Sequence, residues 1–334
     1  MSLSPLSFAN IISIAETWHA IGGALDVEIG ALEPLLWRDG ERRIHDVVAA
    51  LTQRGYTVSL TTNGHLLERF AEVLICAGLS LIRTSWHSTD PVLFREISGG
   101  HGEYEQFMRG VTTALAGGIR MAFNRVLMRG FTDDLGEQIG FIERHNSRLK
   151  LYTLLWTPQS AAMHDELFQR FEPVVERWVM PRTRHVTTVE KEQGRSRTQY
   201  HLTKGGMVEV KRGDQFDRSV SPCASCAFKD KCDEGFGDYV RVDPRLHLYF
   251  CYMRRDLGFP IAEYLGRPEA LKQRLREMLL DMAVESFLAK TPLRFTVTPF
   301  CNFNCRVPGA AQGWCMEEPG EFIYPKIRPT LLGR

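Results

Sequence analysis

Residues 6–155 alternate between segments with a helical spacing of apolar residues and short strand-like runs. The helical segments cover about 6–21, 39–54, 65–77, 103–116 and 133–145. The runs between them, rich in branched and aromatic residues, cover 25–29, 56–61, 79–85, 120–126 and 149–154. This alternation predicts an α/β fold with a parallel sheet built from βαβ units. Residues 294–298 form a further run, which would supply a sixth strand.

The pattern changes between residues 160 and 220, where short alternating segments replace the long helices. Two of these segments, 184–189 and 207–211, lie around a polar stretch at 190–197 that predicts a hairpin loop. A further helix is expected at 268–289, ahead of the sixth strand. We therefore expect two units, one formed by residues 1–158 together with 290–334 and the other by residues 159–289.

Length and charge limit the possible classes of protein. With 334 residues, the chain can bury a full core, as one large domain with an appended module or as two domains. Its 41 Lys and Arg nearly balance its 40 Asp and Glu, so the global charge favours neither nucleic acid nor an anionic membrane as a partner. A local basic pocket is compatible with this balance. Because a long apolar run and a basic secretory start are both missing from the sequence, we expect a cytoplasmic protein.

Eight cysteines in a cytoplasmic protein favour metal binding over disulfides. Seven of them fall into two groups, namely Cys223, Cys226, Cys232 and Cys251, and then Cys301, Cys305 and Cys315. The eighth, Cys76, lies on an apolar helical segment, where we expect it to pack in the core.

Each cysteine group is compatible with two kinds of metal site. The later group follows the sixth strand, with Trp314 directly before its last cysteine. Thiolates on such a loop can bind the iron of an iron–sulfur cluster, while backbone and ring shield its open side. Three cysteines could equally bind zinc, and the spacing of the earlier group also fits a zinc ribbon.

The later group resembles the cluster loop of radical S-adenosylmethionine (SAM) enzymes, which normally lies near the amino terminus. The familiar spacing would put the third cysteine at Pro308. Trp314 and the residues after Cys315 resemble the surroundings of that third cysteine, so we interpret 306–313 as an insertion.

Four further segments resemble motifs of the molybdenum-cofactor GTP 3′,8-cyclase group of that superfamily, in the family's order. They cover residues 29–39, 60–67, 82–99 and 123–134, and each falls at the carboxyl end of a predicted strand. In barrels of parallel strands, that edge holds the chemistry. The resemblance implies a partial (β/α)6 barrel of the TIM type, circularly permuted so that the first strand and its cluster loop come last. Residues 159–289 would form a small auxiliary-cluster module of the twitch or SPASM kind.

The resemblance also implies cofactors and site residues. A [4Fe–4S] cluster on Cys301, Cys305 and Cys315 would bind SAM. Once reduced by a flavodoxin or ferredoxin type of donor, the cluster would pass an electron to SAM and cleave it to methionine and a 5′-deoxyadenosyl radical. That radical would take hydrogen from a small-molecule substrate. The implied SAM pocket comprises Gly30, Ala31, Leu32, Glu33, Thr61, Asn63, Ser85 and Trp314.

A second [4Fe–4S] cluster is implied for the earlier cysteine group. Cys223, Cys226 and Cys251 match three ligands of the relatives' auxiliary cluster. Cys232 departs from that pattern, since a fourth thiolate would saturate the cluster and leave it a structural or electron-transfer role.

The implied substrate positions give a mixed prediction. Arg294, Thr61 and Arg241 match positions that meet GTP, and Asn124 is a further candidate. Glu28 and Ala122, however, replace two cations, and a carboxylate repels phosphate. We therefore expect a less charged nucleoside, an amino acid or a natural-product intermediate.

Three alternatives stay open. The first is a GTP 3′,8-cyclase-like enzyme. The second is a peptide-modifying maturase, for whose usual leader-binding domain we expect no room in this chain. The third is a zinc-stabilised binding module without radical chemistry. The sequence assigns no catalytic hydrogen donor and no role to histidines such as His87.

Overall fold

The structure is a computed structural model. It describes residues 6–30, 33–100, 102–156, 161–190, 196–211, 222–227, 229–230, 232, 239–251, 254, 256–279 and 284–296. The helices within these ranges are α1 (Phe8–Ala20), α2 (Ile44–Thr52), α3 (Leu67–Cys76), α4 (Pro91–Ile97), α5 (Tyr104–Ala116), α6 (Leu135–Arg144), α7 (Ala161–Leu167), α8 (Phe171–Val174), α9 (Pro268–Met278) and α10 (Val284–Lys290). A π-helical turn, Val175–Val179, continues α8, and short 3-10 turns lie at Pro34–Leu36, Met180–Arg182 and Ala262–Tyr264.

The strands are β1 (Asp26–Gly30), β2 (Arg38–Asp39), β3 (Arg42–Arg43), β4 (Thr57–Thr62), β5 (Leu81–Ser85), β6 (Arg120–Leu127), β7 (Arg148–Thr153), β8 (Thr183–Glu190), β9 (Ser196–Leu202), β10 (Met207–Lys211), β11 (Val240–Val242), β12 (His247–Tyr249), β13 (Gly258–Pro260) and β14 (Leu293–Thr296). All except β2 and β3 form a 12-stranded sheet in the order β13-β12-β11-β14-β1-β4-β5-β6-β7-β10-β9-β8. From β11 to β10 in this order, every neighbouring pair is parallel. The protein therefore has an α/β fold with a large, mostly parallel sheet.

Alternation along the strands separates two faces of this sheet. One face, with Val27, Ile29, Val58 and Leu60, is fully buried in the core against the helices. The opposite face, which we call the inner face, is polar. Its members follow from the register of neighbouring strands and include Glu28, Ser59, Thr61, Arg83, Ser85, Asn124, Lys150, Arg197, Glu209, Arg241 and Arg294.

The sheet is strongly curled around its inner face. Tyr239, directly before β11, interacts electrostatically with Glu28 on β1 and also with Arg197 on β9. Eight strand spacings separate β11 from β9 in the sheet order, and at about 4.8 Å each they would span roughly 38 Å in a flat sheet. Charges that far apart are screened from each other. The curvature therefore brings the two sides of the sheet together around one interior.

Most of the predicted elements are confirmed, because α1, α3, α5 and α6 and the strands that follow them lie within a few residues of the predicted bounds. The predicted sixth strand is also present, since β14 pairs in parallel with β1, Glu28 facing Arg294. This places a strand from near the end of the chain beside the first strand.

Three predictions about local structure were wrong. The segment 39–54 is not one helix, because the β2–β3 hairpin turns at Gly40, whose φ is +60°, before α2 begins. The segment 268–289 forms two helices, α9 and α10. Cys76 is exposed instead of packed in the core, because the buried face of α3 is formed by Leu67, Ala71 and Leu74.

The two units proposed from the sequence share one sheet. Strand β10 pairs with β7, and β11 pairs with β14, so strands from within 159–289 extend both sides of the parallel array. The hairpin region is larger than predicted, since the pattern missed β9, which pairs with both β8 and β10. The division into two domains stays a prediction. Among the helices described here, none is long and apolar enough to cross a membrane.

Candidate active site

The predicted pocket residues on the described strands meet at one edge of the sheet. Gly30 is the last residue of β1, Thr61 is the last residue but one of β4, and Ser85 is the last residue of β5. Ser85 faces Asn124 on β6 in the strand register, and both side chains are half-buried on the inner face. Asn63 follows β4 and is exposed, with its side-chain oxygen accepting a hydrogen bond from the His65 backbone nitrogen at 2.9 Å. Carboxyl ends of parallel strands are where such sites form.

Glu33 joins the segments that follow β1 and β4. Its Oε1 accepts hydrogen bonds from Thr62 Oγ1 at 2.7 Å and from the Leu35 nitrogen at 3.0 Å, and its Oε2 accepts one from the Asn63 nitrogen at 2.8 Å. Thr62 Oγ1 in turn accepts from the Gly64 nitrogen at 3.0 Å. Burial raises the pKa of the Glu33 carboxyl, and the three hydrogen bonds oppose that rise. This carboxyl therefore holds the two strand ends in a fixed relation.

Glu28 is the centre of a charged cluster on the inner face, the Glu28 cluster, formed with Thr61, Arg83, Arg241 and Arg294. The Glu28 side chain is buried, and Thr61 Oγ1 donates a hydrogen bond to its Oε1 at 2.7 Å. Arg294 Nη2 lies 3.3 Å from Oε1, and Arg83 Nη1 lies 3.5 Å from Oε2. Arg241, which faces Arg294 across the β11–β14 pair, acts on Glu28 electrostatically.

The protonation state of Glu28 follows from these partners. Burial by itself would raise the pKa of the carboxyl, but Arg294 and Arg83, with the Thr61 hydrogen bond, outweigh burial and lower the pKa to about 2. Glu28 is therefore an anion throughout the physiological pH range.

Gly30 gives Arg294 the space to reach Glu28. A Cβ on Gly30 would lie only 2.9 Å from Arg294 Nη2 and 3.1 Å from its Nε. The guanidinium thus crosses directly over the Gly30 backbone, and the missing side chain is what allows that approach.

A second charged cluster, the Glu209 cluster, lies on the inner face between β7, β10 and β9. Glu209 is 1% exposed and accepts a hydrogen bond from Gln199 Nε2 at 3.0 Å. Arg197 Nη1 lies 3.3 Å and Lys150 Nζ 3.5 Å from its Oε1, while Arg148 Nη1 lies 3.9 Å from its Oε2. Burial raises the pKa of Glu209, but the pull of Lys150 and Arg197 outweighs it, so the pKa is lowered. The sequence pattern gave no signal for this cluster, because β9 was not predicted.

His87 is a further inner-face residue to which the sequence assigned no role. It follows Ser85 by two positions, and its Nδ1 accepts a hydrogen bond from the Val126 nitrogen at 3.3 Å. Burial, with a smaller contribution from Arg125, lowers its pKa to about 4, so the ring is neutral near pH 7. Since Nδ1 accepts, Nε2 carries the proton, and the ring can donate one hydrogen bond.

The earlier cysteine group lies beside the sheet. Cys251, two residues after the end of β12, is buried in the core, whereas Cys223, Cys226 and Cys232 are half-buried. The Cys226 nitrogen donates to the Cys223 carbonyl at 3.1 Å, which forms a tight turn. In the ranges that the structure covers, no set of three or more His, Cys, Asp or Glu side chains is arranged to bind a metal ion. The assignment of these four cysteines to a cluster stays a prediction.

Several predicted site residues lie outside the described residues. They are the cluster cysteines and their neighbouring ring, together with two residues of the turn after β1: Cys301, Cys305, Cys315, Trp314, Ala31 and Leu32.

Residues 3–140 match the family model described as the Radical SAM superfamily. The chain is 32% identical over 157 residues to the probable GTP 3′,8-cyclase of Pyrobaculum aerophilum, which covers 46% of this chain and 49% of that protein. It is 27% identical over 259 residues to the GTP 3′,8-cyclase of Xanthomonas axonopodis pv. citri, covering 74% of this chain and 69% of that protein.

Among solved structures, a domain of pyruvate-formate lyase-activating enzyme from Bacteroides vulgatus is similar with a TM-score of 0.37 and 14% identity. That match covers 48% of this chain and 91% of the other. The chain spans about half the length of the first of the curated relatives, 49%. The family match includes β1, β4, β5 and β6, the strands on which Gly30, Thr61, Ser85 and Asn124 lie. Residues 3–140 of this chain are therefore similar in sequence to the Radical SAM superfamily.

Proposed function

We propose that this protein is a radical SAM enzyme that acts on an anionic small molecule, bound on the inner face of the curled sheet. The observation that carries the proposal is the charge of that face. Each of two buried carboxylates is outnumbered by cations, Glu28 by three arginines and Glu209 by two arginines and a lysine. Cations grouped on one face of the sheet attract an anionic ligand to that face.

The chain also has residues suited to the cofactors. Cys301 follows Thr296, the last residue of β14, by five residues, which an extended chain spans in at most about 18 Å. A cluster held by Cys301, Cys305 and Cys315 would thus lie near the edge formed by Gly30 and Ser85. When bound there, the cluster and SAM would supply a 5′-deoxyadenosyl radical.

The roles of the remaining residues follow from their positions. Gly30 with residues 31–33 would meet the SAM amino group, Ser85 its carboxylate, and Trp314 its adenine. Thr61 and Asn63 would line the pocket. Arg241, Arg294 and Asn124 would face the substrate. The circular permutation accounts for the pairing of β14 with β1, and it remains part of the proposal.

Cyclisation of GTP is the second candidate function. It is favoured by the names of the relatives, which share about a third of their residues with this chain in the matched region. It is also favoured by the Glu209 cluster, since Lys150 and Arg197 add cations that could replace those lost at Glu28 and Ala122. The salt bridges of Glu28 favour a substrate with fewer negative charges.

The second cysteine group would hold an auxiliary [4Fe–4S] cluster. The turn that joins Cys223 and Cys226 would supply two thiolates, and Cys232 and Cys251 would supply the others. A flavodoxin or ferredoxin type of protein would deliver the electron. A zinc-stabilised module without radical chemistry is the non-enzymatic alternative.

Anaerobic reconstitution with iron and sulfide tests the proposal. We expect visible charge-transfer absorption and, after reduction with SAM, formation of 5′-deoxyadenosine. The Cys301→Ala variant should lose the absorption that comes from the first cluster and should form no 5′-deoxyadenosine. Cys315→Ala should give the same result if 306–313 is an insertion. Tight binding of zinc without cleavage of SAM would contradict the proposal. Comparing 5′-deoxyadenosine formed with GTP, GMP and guanosine separates the two candidate functions.

A further inference from the structure

The ladder of hydrogen bonds between β5 and β6 ends on a side chain. Ser85 faces Asn124 in the register, and the Trp86 nitrogen donates to the Asn124 carbonyl at 2.9 Å. The next β6 nitrogen on that side, the one of Val126, donates to His87 Nδ1 at 3.3 Å. A continued parallel ladder would have a backbone carbonyl of β5 at this point. The imidazole of His87 therefore takes the place of that carbonyl, between the ends of the two strands.

The segment that carries this imidazole is fixed from the helix side of the sheet. The Trp86 carbonyl accepts a hydrogen bond from Gln138 Nε2 at 2.7 Å, and the Thr89 nitrogen donates one to Asp134 Oδ2 at 2.5 Å. Gln138 and Asp134 are in turn held by the fully buried Arg125. Its Nη1 lies 3.1 Å from Gln138 Oε1, and its Nη2 lies 2.5 Å from Asp134 Oδ1. The backbone is thus held both before and after the ring.

The hydrogen bond to the ring determines which of its nitrogens is open to a ligand. Because Nδ1 accepts from Val126, the proton of the neutral ring is on Nε2. Within the ranges that the structure covers, no side chain or carbonyl accepts a hydrogen bond from Nε2 of His87. His87 is half-buried, so the acceptor comes from water or from a ligand on the inner face. The ring offers a donor without a charge, since a second proton at Nδ1 would break the hydrogen bond from Val126.

We propose that His87 is a ligand-binding residue and that its Nε2–H group donates a hydrogen bond to a carboxylate or phosphate oxygen of a ligand at the carboxyl ends of β5 and β6. The inference rests on the proposed function, because it adds a residue to the same site. Ser85 and Asn124 lie on the same face one register step earlier, about 7 Å along the strands. A ligand that meets them is therefore within reach of the ring. An anionic oxygen is the acceptor that forms the strongest hydrogen bond with such a donor.

Two ligands have an oxygen of this kind. The carboxylate of SAM is one source, since Ser85 is the residue proposed to meet it. An anionic group of the substrate is the other, since Asn124 is proposed to face the substrate and the ring of His87 is turned towards β6. The chemistry of the two sources is the same, and separate titrations distinguish them.

The test compares two variants that differ in the donor. In His87→Gln the amide oxygen can accept from Val126 and the amide nitrogen can donate to a ligand, whereas His87→Leu can do neither. Binding of SAM and, separately, of inorganic phosphate to the reconstituted full chain is measured by calorimetry without reductant. For at least one of the two, we expect His87→Leu to bind about tenfold more weakly than wild type and His87→Gln to stay within about threefold. The control is His185→Leu, which removes an exposed histidine of β8 and should leave both affinities unchanged.

The outcomes separate the two ligands and the two proposals. Weaker binding of SAM assigns the acceptor to its carboxylate, and weaker binding of phosphate assigns it to the substrate. Equal affinities of wild type and His87→Leu for both ligands would overturn the inference, and so would equal losses in His87→Leu and His87→Gln. Wild type that binds neither ligand would contradict the proposed function as well, whereas formation of 5′-deoxyadenosine together with unchanged affinities would contradict the inference alone.

A measurement on wild type covers the case in which His87→Leu fails to fold, which near-UV circular dichroism identifies. In nitrogen NMR spectra of the full chain labelled at histidine, the His87 signals are assigned by their loss in His87→Gln. Saturation with SAM or with phosphate should shift the Nε2 signal. An Nε2 signal that neither ligand moves would overturn the inference.

Discussion

Glu28 and Glu33 lie five residues apart around the end of β1, and both are buried, yet their environments are opposite. Glu28 faces arginines, which lower its pKa to about 2. Glu33 faces only uncharged donors, a threonine hydroxyl and two backbone nitrogens, and burial raises its pKa. Equal burial thus produces opposite shifts, because the partners differ.

This difference indicates that Glu28 and Glu33 have separate roles at the end of β1. Glu33 points to the core side with Thr62 and fixes the backbone of the turns around the proposed SAM pocket. Glu28 points to the inner face with Thr61, where it compensates part of the charge of the arginines. Thr61 and Thr62, which are adjacent in β4, therefore donate hydrogen bonds to different carboxylates, because successive side chains of a strand point to opposite faces.

Removing the Glu33 side chain should have the largest effect. Glu33→Ala leaves three donors without an acceptor, at roughly 1 kcal/mol each, so we expect a loss of about 3 kcal/mol in the free energy of unfolding. The turns after β1 and β4 should also lose their fixed relation, and SAM affinity should fall at least tenfold. Urea unfolding and calorimetric titration with SAM measure the two effects. The matched surface variant Glu68→Ala should leave the free energy of unfolding and the SAM affinity nearly unchanged. Normal SAM affinity in Glu33→Ala would contradict the role of Glu33 in fixing the turns after β1 and β4.

The pH dependence of stability should separate the two carboxyls. For Glu28, the folded pKa of about 2 lies below the unfolded value of 4.5. Its contribution is therefore complete above pH 4.5 and is lost as the pH falls towards 2, and the shift corresponds to roughly 3 kcal/mol. For Glu33, the folded pKa is raised, so its contribution is present below pH 4.5 and is lost as the pH rises through the folded pKa.

Glu28→Gln and Glu33→Gln, each compared with wild type by chemical denaturation, test this contrast. Acidification from pH 7 to 4.5 should stabilise wild type relative to Glu33→Gln and should leave the difference between wild type and Glu28→Gln unchanged. Acidification below pH 4.5 should destabilise wild type relative to Glu28→Gln and should leave the difference between wild type and Glu33→Gln unchanged. Parallel curves for the two variants would mean that the arginines do not determine the charge state of Glu28.

The strand ends of this site could be predicted from sequence because periodicity locates strands, and parallel strands place their carboxyl ends together. Periodicity alone does not give the partners of Glu28, since Arg294 lies on a strand that pairs with β1 only in the folded sheet. It was the family resemblance that placed Arg294, Arg241 and Thr61 with Glu28 at the implied substrate site. The β2–β3 hairpin did have a signal, a glycine at Gly40, the first of its two loop residues, which is typical of tight hairpin turns. The Glu209 cluster depends on β9, whose alternation was hidden within a polar stretch.

The adjacent threonines of β4 offer a matched pair of smaller changes. Thr62→Val removes a hydrogen bond to Glu33 and also leaves the Gly64 nitrogen without its acceptor, so we expect a loss of about 2 kcal/mol. Thr61→Val removes one hydrogen bond to Glu28, whose arginines remain, so the loss should be about 1 kcal/mol or less. Thermal and urea unfolding measure both. An equal cost would indicate that the arginines contribute little at Glu28.

Gly30→Ala should have the smallest effect on stability and a clear effect on the Glu28 cluster. The new Cβ would lie 2.9 Å from Arg294 Nη2, the far end of a flexible side chain that can move aside, so we expect a cost of about 1 kcal/mol or less. Moving Arg294 weakens its pair with Glu28, and anion binding at the cluster should change while the Glu33 contacts persist. Calorimetry with inorganic phosphate measures this. Gly140→Ala in α6, where a new Cβ would meet no atom closer than 3.5 Å, is the control for a change of glycine to alanine. If phosphate affinity in Gly30→Ala equals that of wild type, Arg294 does not take part in binding the anion. Of the arginines around Glu28, only Arg83 and Arg241 would then distinguish its environment from that of Glu33 in anion binding.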